Sequence, residues 1–130
     1  MSTAILIADD EPNILVSLEY LMKREGYRVH LARDGQEALD TLRRERPRLV
    51  LLDVMMPLKT GFEVCQELRQ DEAIKDTLVL MLTAKGRETD IVKGLAMGAD
   101  AYMTKPFSTR ELVLKVKELL DGAPAAGAAA

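Results

Sequence analysis

The feature that most constrains this chain is the apolar run over 49–52, Leu-Val-Leu-Leu, which stops abruptly at the carboxylate of Asp53. A short continuous apolar run is typical of a strand buried on both faces, as in a parallel sheet covered by helices. Pro57 follows soon after, and proline lacks the donor that a central strand needs. Open α/β sheets bind ligands at the carboxyl ends of their strands. One acid after one strand is compatible with a simple cap, so the other strands must decide whether Asp53 has a function.

Other segments of the chain also have the pattern of strands. They cover 4–8, 28–32, 77–82 and 101–104. The segment over 28–32 alternates polar and apolar residues, which suits an edge strand with one solvated face. Apolar residues at helical spacing occupy the intervals between the strands and follow the last one. Thr60 and Glu63 form a capping pair at the start of the third helical interval.

Strands that alternate with helices through short loops require a parallel sheet with right-handed crossovers and helices on both faces. We predict a doubly wound, flavodoxin-like α/β fold with five strands in the order 2-1-3-4-5 and five helices. This order places the half-polar second strand at an edge and the first and third strands side by side. The chain of 130 residues suffices for one domain, which we assign to 1–121. Residues 122–130, rich in Ala, Gly and Pro, are predicted to be a flexible tail.

Composition argues against several classes of protein. The net charge of −3, with interspersed signs, provides no basic stripe for nucleic acid. No apolar run approaches the roughly 20 residues of a membrane span, and the amino terminus lacks the pattern of a signal peptide. The single cysteine, Cys65, cannot form an internal disulfide. We therefore expect a cytoplasmic domain without direct nucleic-acid or membrane partners.

The predicted topology brings polar side chains from several strand ends to one edge of the sheet. They are Asp9 and Asp10 after the first strand, Asp53 after the third, Thr83 after the fourth and Lys105 after the fifth. Two carboxylates about 5 Å apart repel by about 3 kcal/mol at an effective dielectric of 20, so this acidic cluster needs a cation. Mg²⁺ takes oxygen ligands and is often held by one or two carboxylates beside a phosphate. Asp53 can then act as a nucleophile on phosphorus, with Lys105 and Thr83 meeting the phosphoryl oxygens.

Four motifs, in this order and at this spacing, give the chain a specific resemblance to a known family. They are ILIADDEP at 5–12, LLDVMMP at 51–57, MLTA at 81–84 and KPF at 105–107. With them, the chain resembles the receiver domain of two-component response regulators, the CheY-like family, over residues 4–120. The resemblance implies a receiver fold and a signalling phosphoacceptor. It does not imply an enzyme with a separate substrate, because such a domain catalyses only its own phosphoryl transfer and autodephosphorylation.

The resemblance also implies a role for each acid. Asp53 would be the phosphoacceptor, supplied by the phosphohistidine of a histidine kinase or a phosphotransfer protein. Asp10, Asp53 and the backbone carbonyl of Met55 would coordinate Mg²⁺ directly, and Asp9 would help through water. Met55 and Lys85 occupy positions that tune the phosphoryl lifetime in relatives, so that lifetime stays open.

Thr83 and Lys105 match the hydroxyl and lysine residues of the family, and Tyr102 matches its switch aromatic. By the resemblance, phosphorylation draws Thr83 toward the phosphoryl group and turns Tyr102 inward. This remodels the surface of helix four, strand five and helix five, where a downstream protein or an output domain binds. The Lys105-Pro106 peptide bond is expected to be cis. A half-buried Tyr102 with no switching role remains an alternative from the residues alone.

Two other functions share parts of this pattern. An aspartyl-phosphate hydrolase would share the nucleophile and Mg²⁺, but such enzymes resemble one another in an acid at the position held here by Met55. A flavodoxin-like electron carrier would need a Gly-rich phosphate loop after the first strand and aromatic residues for the ring, whereas this chain has DDEP at 9–12 and no Trp. Within the receiver family, a single-domain regulator and the receiver half of a larger protein both remain open.

Overall fold

The structure, a computed structural model, describes residues 3–84 and 87–122. Within these residues, strands and helices alternate in the order β1 (Ala4–Ala8), α1 (Pro12–Arg24), β2 (Arg28–Ala32), α2 (Gly35–Glu45), β3 (Leu49–Asp53), α3 (Gly61–Gln70), β4 (Leu78–Ala84), α4 (Glu88–Ala96), β5 (Ala101–Lys105) and α5 (Thr109–Gly122). Gly122, the first residue of the predicted tail, is the last residue of α5. The rest of that tail, 123–130, lies outside the described residues, as does Lys85.

The strands form one parallel sheet in the order β2-β1-β3-β4-β5. In its centre, β1 and β3 are paired and buried along their whole length. The half-polar strand β2 is at an edge and is largely part-exposed. The predicted doubly wound α/β fold and its strand order are therefore confirmed, and the ends of β1 and β3 lie next to each other.

Two hydrophobic cores cover the two faces of the sheet. Successive strand residues point to opposite faces, so Leu52 packs with Leu39 of α2 in one core while Leu51 packs with Leu18 of α1 and Val116 of α5 in the other. All five side chains are buried. The apolar run that ends at Asp53 is thus enclosed on both sides, and its terminal carboxylate is held at a fixed place on the sheet edge.

The fourth and fifth strands differ at their ends from the sequence prediction. The predictions covered 77–82 and 101–104 and left Thr83 in a turn, but β4 includes Thr83 and β5 includes Lys105. Thr83 lies opposite Thr104 in the parallel register. The ladder with a neighbouring strand satisfies backbone groups whatever the polarity of the side chains, and a sequence pattern does not record that pairing. Thr83 and Lys105 are therefore strand residues, and their backbones belong to the sheet.

Helix α3 starts directly after the loop that follows β3, and a capping box fixes its first turn. The Oγ1 atom of Thr60 accepts from the backbone N–H of Glu63 at 3.2 Å, and the Glu63 carboxylate accepts from the backbone N–H of Thr60 at 2.9 Å. These bonds satisfy donors that a helix start leaves unpaired. The predicted capping pair is confirmed.

Replacement of the capping hydroxyl should therefore destabilise the fold. For Thr60→Ala we expect the free energy of unfolding to fall by about 1 kcal/mol, because a helix donor loses its acceptor. Urea unfolding followed by circular dichroism measures this change. Thr60→Ser keeps the hydroxyl and is the matched control, so an equal loss in both variants would contradict the assignment of the cap.

Candidate functional site

Three carboxylates meet at the carboxyl edge of the sheet, where β1 and β3 end side by side. One oxygen each from Asp9, Asp10 and Asp53 lies within 4.8 Å of the others. Asp9 is fully buried and Asp53 is 7% exposed, whereas Asp10 is open to solvent. The structure thus brings together the acids that the topology predicted to be neighbours. We call Asp9, Asp10 and Asp53 the acidic cluster.

Lys105, at the end of β5, joins two members of the acidic cluster. Its ammonium nitrogen lies 2.9 Å from Oδ2 of Asp9 and 3.2 Å from Oδ1 of Asp53. Burial lowers the pKa of Lys105, but its hydrogen bonds to these two carboxylates and their charges outweigh burial, so the pKa is raised. The peptide bond between Lys105 and Pro106 is cis, as the family resemblance implies. Lys105 is a permanent positive charge in contact with the candidate nucleophile.

The environment of Asp53 disfavours its negative charge. Burial and the charge of Asp9 raise the pKa of Asp53 from 3.8 to about 6, although Lys105 acts in the opposite direction. One lysine therefore compensates the acidic cluster only in part. A further cation at this edge would favour the ionised carboxylate, which is the nucleophilic form of the group.

The donor atoms of the acidic cluster fit a divalent cation. Both oxygens of Asp9 are engaged, since Oδ1 accepts from the backbone N–H of Glu11 at 2.9 Å and Oδ2 contacts Lys105. Asp10 is exposed and lies beside Asp53. Mg²⁺ and similar hard ions prefer such carboxylate oxygens and retain several waters. Asp10 and Asp53 are thus placed to be ligands, whereas Asp9 is held by the protein.

Thr83 and Tyr102 lie on the same face of neighbouring strands. Thr83 shares a face of β4 with Met81, and the register places Tyr102 of β5 opposite Met81. The Thr83 side chain is fully buried, and its hydroxyl donates to the carbonyl of Met103 at 3.4 Å, a long hydrogen bond. Tyr102 is 44% exposed. A hydroxyl with a weak partner thus lies between the sheet edge and a partly exposed aromatic ring.

Gly61 is a residue of this site to which the sequence analysis gave no role. Its backbone N–H donates to the carbonyl of Val54 at 2.8 Å, and a Cβ atom built on Gly61 would lie 2.4 Å from the carbonyl oxygen of Asp53. Only glycine permits this approach of α3 to the end of β3. The sequence offers no signal for it, because a glycine in a first helical turn is unremarkable without knowledge of what lies next to it.

Comparison with known proteins identifies the family. Residues 5–117 match the family model of the response regulator receiver domain. The chain belongs to the response regulator receiver domain family, as the four sequence motifs indicated.

A curated relative with a similar sequence is a bacterial regulator. The chain is 50% identical over 120 residues to the alkaline phosphatase synthesis transcriptional regulatory protein PhoP of Bacillus subtilis (strain 168). The alignment covers 92% of this chain and 49% of that protein. The chain therefore spans about half the length of this relative.

Solved structures share the fold over nearly the whole chain. A putative response regulator from Chloroflexus aurantiacus J-10-fl has a TM-score of 0.89 at 35% identity, over 93% of this chain and 99% of its own. The receiver domain of a sensor histidine kinase from Pseudomonas aeruginosa PAO1 has a TM-score of 0.86 at 28% identity, with the same coverage of 93% and 99%. That second structure has a magnesium ion coordinated in its active site cleft.

The raised pKa of Asp53 predicts a pH-dependent effect on stability. Between pH 3.8 and about 6 the unfolded chain releases a proton that the folded protein keeps, so rising pH destabilises the native fold in this window. Without divalent cations, we expect the free energy of unfolding of Asp53→Asn to exceed that of the native chain by about 2 kcal/mol near pH 7. Below pH 4 we expect no such increase in stability.

Urea unfolding at the two pH values measures this difference. Asp76→Asn, which removes the charge of an exposed acid in the loop before β4, is the matched control. A gain for Asp53→Asn that is equal at both pH values would show that the effect does not come from the titration of Asp53.

Proposed function

We propose that this domain is a signalling phosphoacceptor that takes a phosphoryl group onto Asp53 from the phosphohistidine of a histidine kinase or a phosphotransfer protein. The observation that carries the proposal is the meeting of Asp53 with Lys105 at 3.2 Å and with Asp9 and Asp10 within 4.8 Å. The proposed chemistry is limited to phosphorylation and dephosphorylation of the domain itself.

In the proposed transfer, a carboxylate oxygen of Asp53 forms a bond to phosphorus while the phosphorus–nitrogen bond of phosphohistidine breaks. The ring nitrogen leaves with the electron pair, and the ring takes up a proton from solvent. Lys105, already in place beside Asp53, presents a positive charge to the transferring oxygens without rearrangement. Attack by water later returns the Asp53 carboxylate and inorganic phosphate.

We propose Mg²⁺ as the cation of this site. Asp10, Asp53 and the backbone carbonyl of Met55 would hold it, with Asp9 acting through water. When bound, Mg²⁺ supplies positive charge that offsets the acidic cluster and the charge on the phosphoryl oxygens. The proposal is supported by the exposed Asp10 next to Asp53 and by the magnesium ion in the cleft of the Pseudomonas aeruginosa neighbour.

We propose that Thr83 and Tyr102 pass the phosphorylation state to the surface of α4, β5 and α5. The long bond from Thr83 to Met103 leaves the hydroxyl free to exchange that acceptor for a phosphoryl oxygen. Large apolar side chains are exposed on all three elements, including Val92 on α4, Tyr102 on β5 and Leu114 on α5. Such a surface suits a protein partner.

The partners follow from this proposal. A histidine kinase or phosphotransfer protein supplies the phosphoryl group, and a downstream protein or an output domain reads the α4, β5 and α5 surface. A cytoplasmic location suits this exchange, and we expect no direct contact of the domain with nucleic acid or membrane. Within residues 3–84 and 87–122, no helix combines the length and apolarity needed to cross a membrane.

Intact-mass spectrometry after incubation with acetyl phosphate tests the phosphoacceptor. We expect the native chain to gain one phosphoryl mass that requires Mg²⁺, and Asp53→Asn to gain none, because the attacking oxygen is gone. Beryllofluoride, a mimic of the phosphoryl group, is added in a second arm with amide chemical shifts as the readout, in case hydrolysis is fast. A phosphoryl adduct that persists in Asp53→Asn, or no response of the native chain to either reagent, would refute the proposal.

The Mg²⁺ ligand set has its own test. We expect Asp10→Asn to weaken Mg²⁺ binding by about tenfold or more in calorimetric titrations, because a charged oxygen ligand becomes neutral. Glu11→Gln changes the neighbouring exposed acid and is the matched control. If both variants bind Mg²⁺ with the native affinity, Asp10 is not a ligand.

A further inference from the structure

Gly35 lies outside the acidic cluster, at the first residue of α2, yet it contacts the loop that follows Asp53. Its backbone N–H donates to the carbonyl of Pro57 at 3.2 Å. A Cβ atom built on Gly35 would lie 2.1 Å from the carbonyl oxygen of Lys59 and 2.5 Å from the Lys59 Cβ atom. Neither distance is possible for a real side chain. The loop backbone therefore occupies space that only glycine leaves open at this position.

The part of the loop that touches Gly35 has an unusual conformation. Leu58 has a φ of 69°, and the backbone N–H of Lys59 donates to the carbonyl of Pro57 at 2.8 Å. This is a three-residue γ-turn with a positive central φ, a rare and strained arrangement for a non-glycine residue. Such a turn persists only where its surroundings hold it. The Pro57 carbonyl accepts from the backbone N–H groups of both Lys59 and Gly35, so α2 helps to stabilise the turn.

The start of α2 does not need a glycine for its own sake. Asp34 already caps the helix, since its carboxylate accepts from the backbone N–H of Glu37 at 2.7 Å. Alanine is also a better helix former than glycine. The contact with the loop is therefore what demands glycine at residue 35.

The same loop carries Met55, and both of its ends are fixed. At one end Asp53 belongs to β3, and at the other the backbone N–H of Gly61 donates to the carbonyl of Val54 at 2.8 Å. Because both ends are fixed, a displacement of the turn over 57–59 has to be accommodated by the few residues between the turn and those ends, among them Met55. We infer that Gly35 is a positioning residue for the cation site, because it lets the turn over 57–59 seat against α2 and so fixes the segment that carries the Met55 carbonyl. This inference rests on the proposed function.

Mg²⁺ titration of Gly35→Ala tests the inference. We expect the added methyl group to displace the turn, to change amide chemical shifts over 54–61, and to weaken Mg²⁺ binding by about tenfold, as changes around metal ligands do. Gly122→Ala is the matched control, since Gly122 is also a terminal helical glycine and has nothing within 4 Å of its added Cβ. That control should bind Mg²⁺ with the native affinity.

A second variant keeps the test valid if Gly35→Ala fails to fold. Leu58→Gly frees the turn from its strained φ, so the double variant Gly35→Ala with Leu58→Gly lets the turn move away from the methyl group. We expect it to fold, as judged by urea unfolding, and to bind Mg²⁺ about tenfold more weakly than Leu58→Gly alone.

The outcomes separate this inference from the proposed function. Native Mg²⁺ affinity in folded Gly35→Ala, or affinity in the double variant equal to that of Leu58→Gly, would overturn the inference alone. If the native chain itself binds no Mg²⁺, both the proposed metal site and this inference are refuted.

Discussion

The structure of the site depends on one ammonium group shared by two carboxylates. Lys105 is 96 residues from Asp9 in the chain and contacts both Asp9 and Asp53. Buried charges are tolerated only when they are paired, and the neighbouring carboxylates of Asp9 and Asp53 repel each other. Lys105 comes from the last strand, whereas the acids come from the two strands at the centre of the sheet. The site is therefore assembled only when the sheet is complete.

Lys105 offsets only part of the negative charge at this edge of the sheet. The pKa of Asp53 stays raised to about 6 in its presence, because burial and Asp9 outweigh it. The folded protein thus holds an acidic cluster that is electrostatically unfavourable by itself. Functional sites often conflict with fold stability in this way. A bound cation would relieve the conflict, so the same arrangement that weakens the fold favours cation binding.

The fold could be predicted from the sequence because the patterns that mark its strands and helices are local. Apolar runs that end in polar residues identify buried strands and their carboxyl ends, and the half-polar segment over 28–32 identifies the edge. Those signals also placed Asp9, Asp10 and Asp53 together. Contacts between distant segments left no comparable signal. Three such contacts arise from proximity in the folded structure alone. They are the pairing of Thr83 with β5, the contacts of Lys105 with two carboxylates, and the close approach of backbone oxygens to Gly35 and Gly61.

The place of Thr83 within β4 limits how its hydroxyl could take part in the proposed switch. Its backbone is held by the parallel pairing with Thr104, so its hydroxyl can change partner only by rotation about the Cα–Cβ bond. A β-branched side chain has few allowed rotamers, so the Thr83 hydroxyl has a small number of discrete positions. Under the proposed function, a signal would therefore pass through Thr83 as a change between discrete rotamers, and the acyl phosphate bond at Asp53 would decide which rotamer is populated.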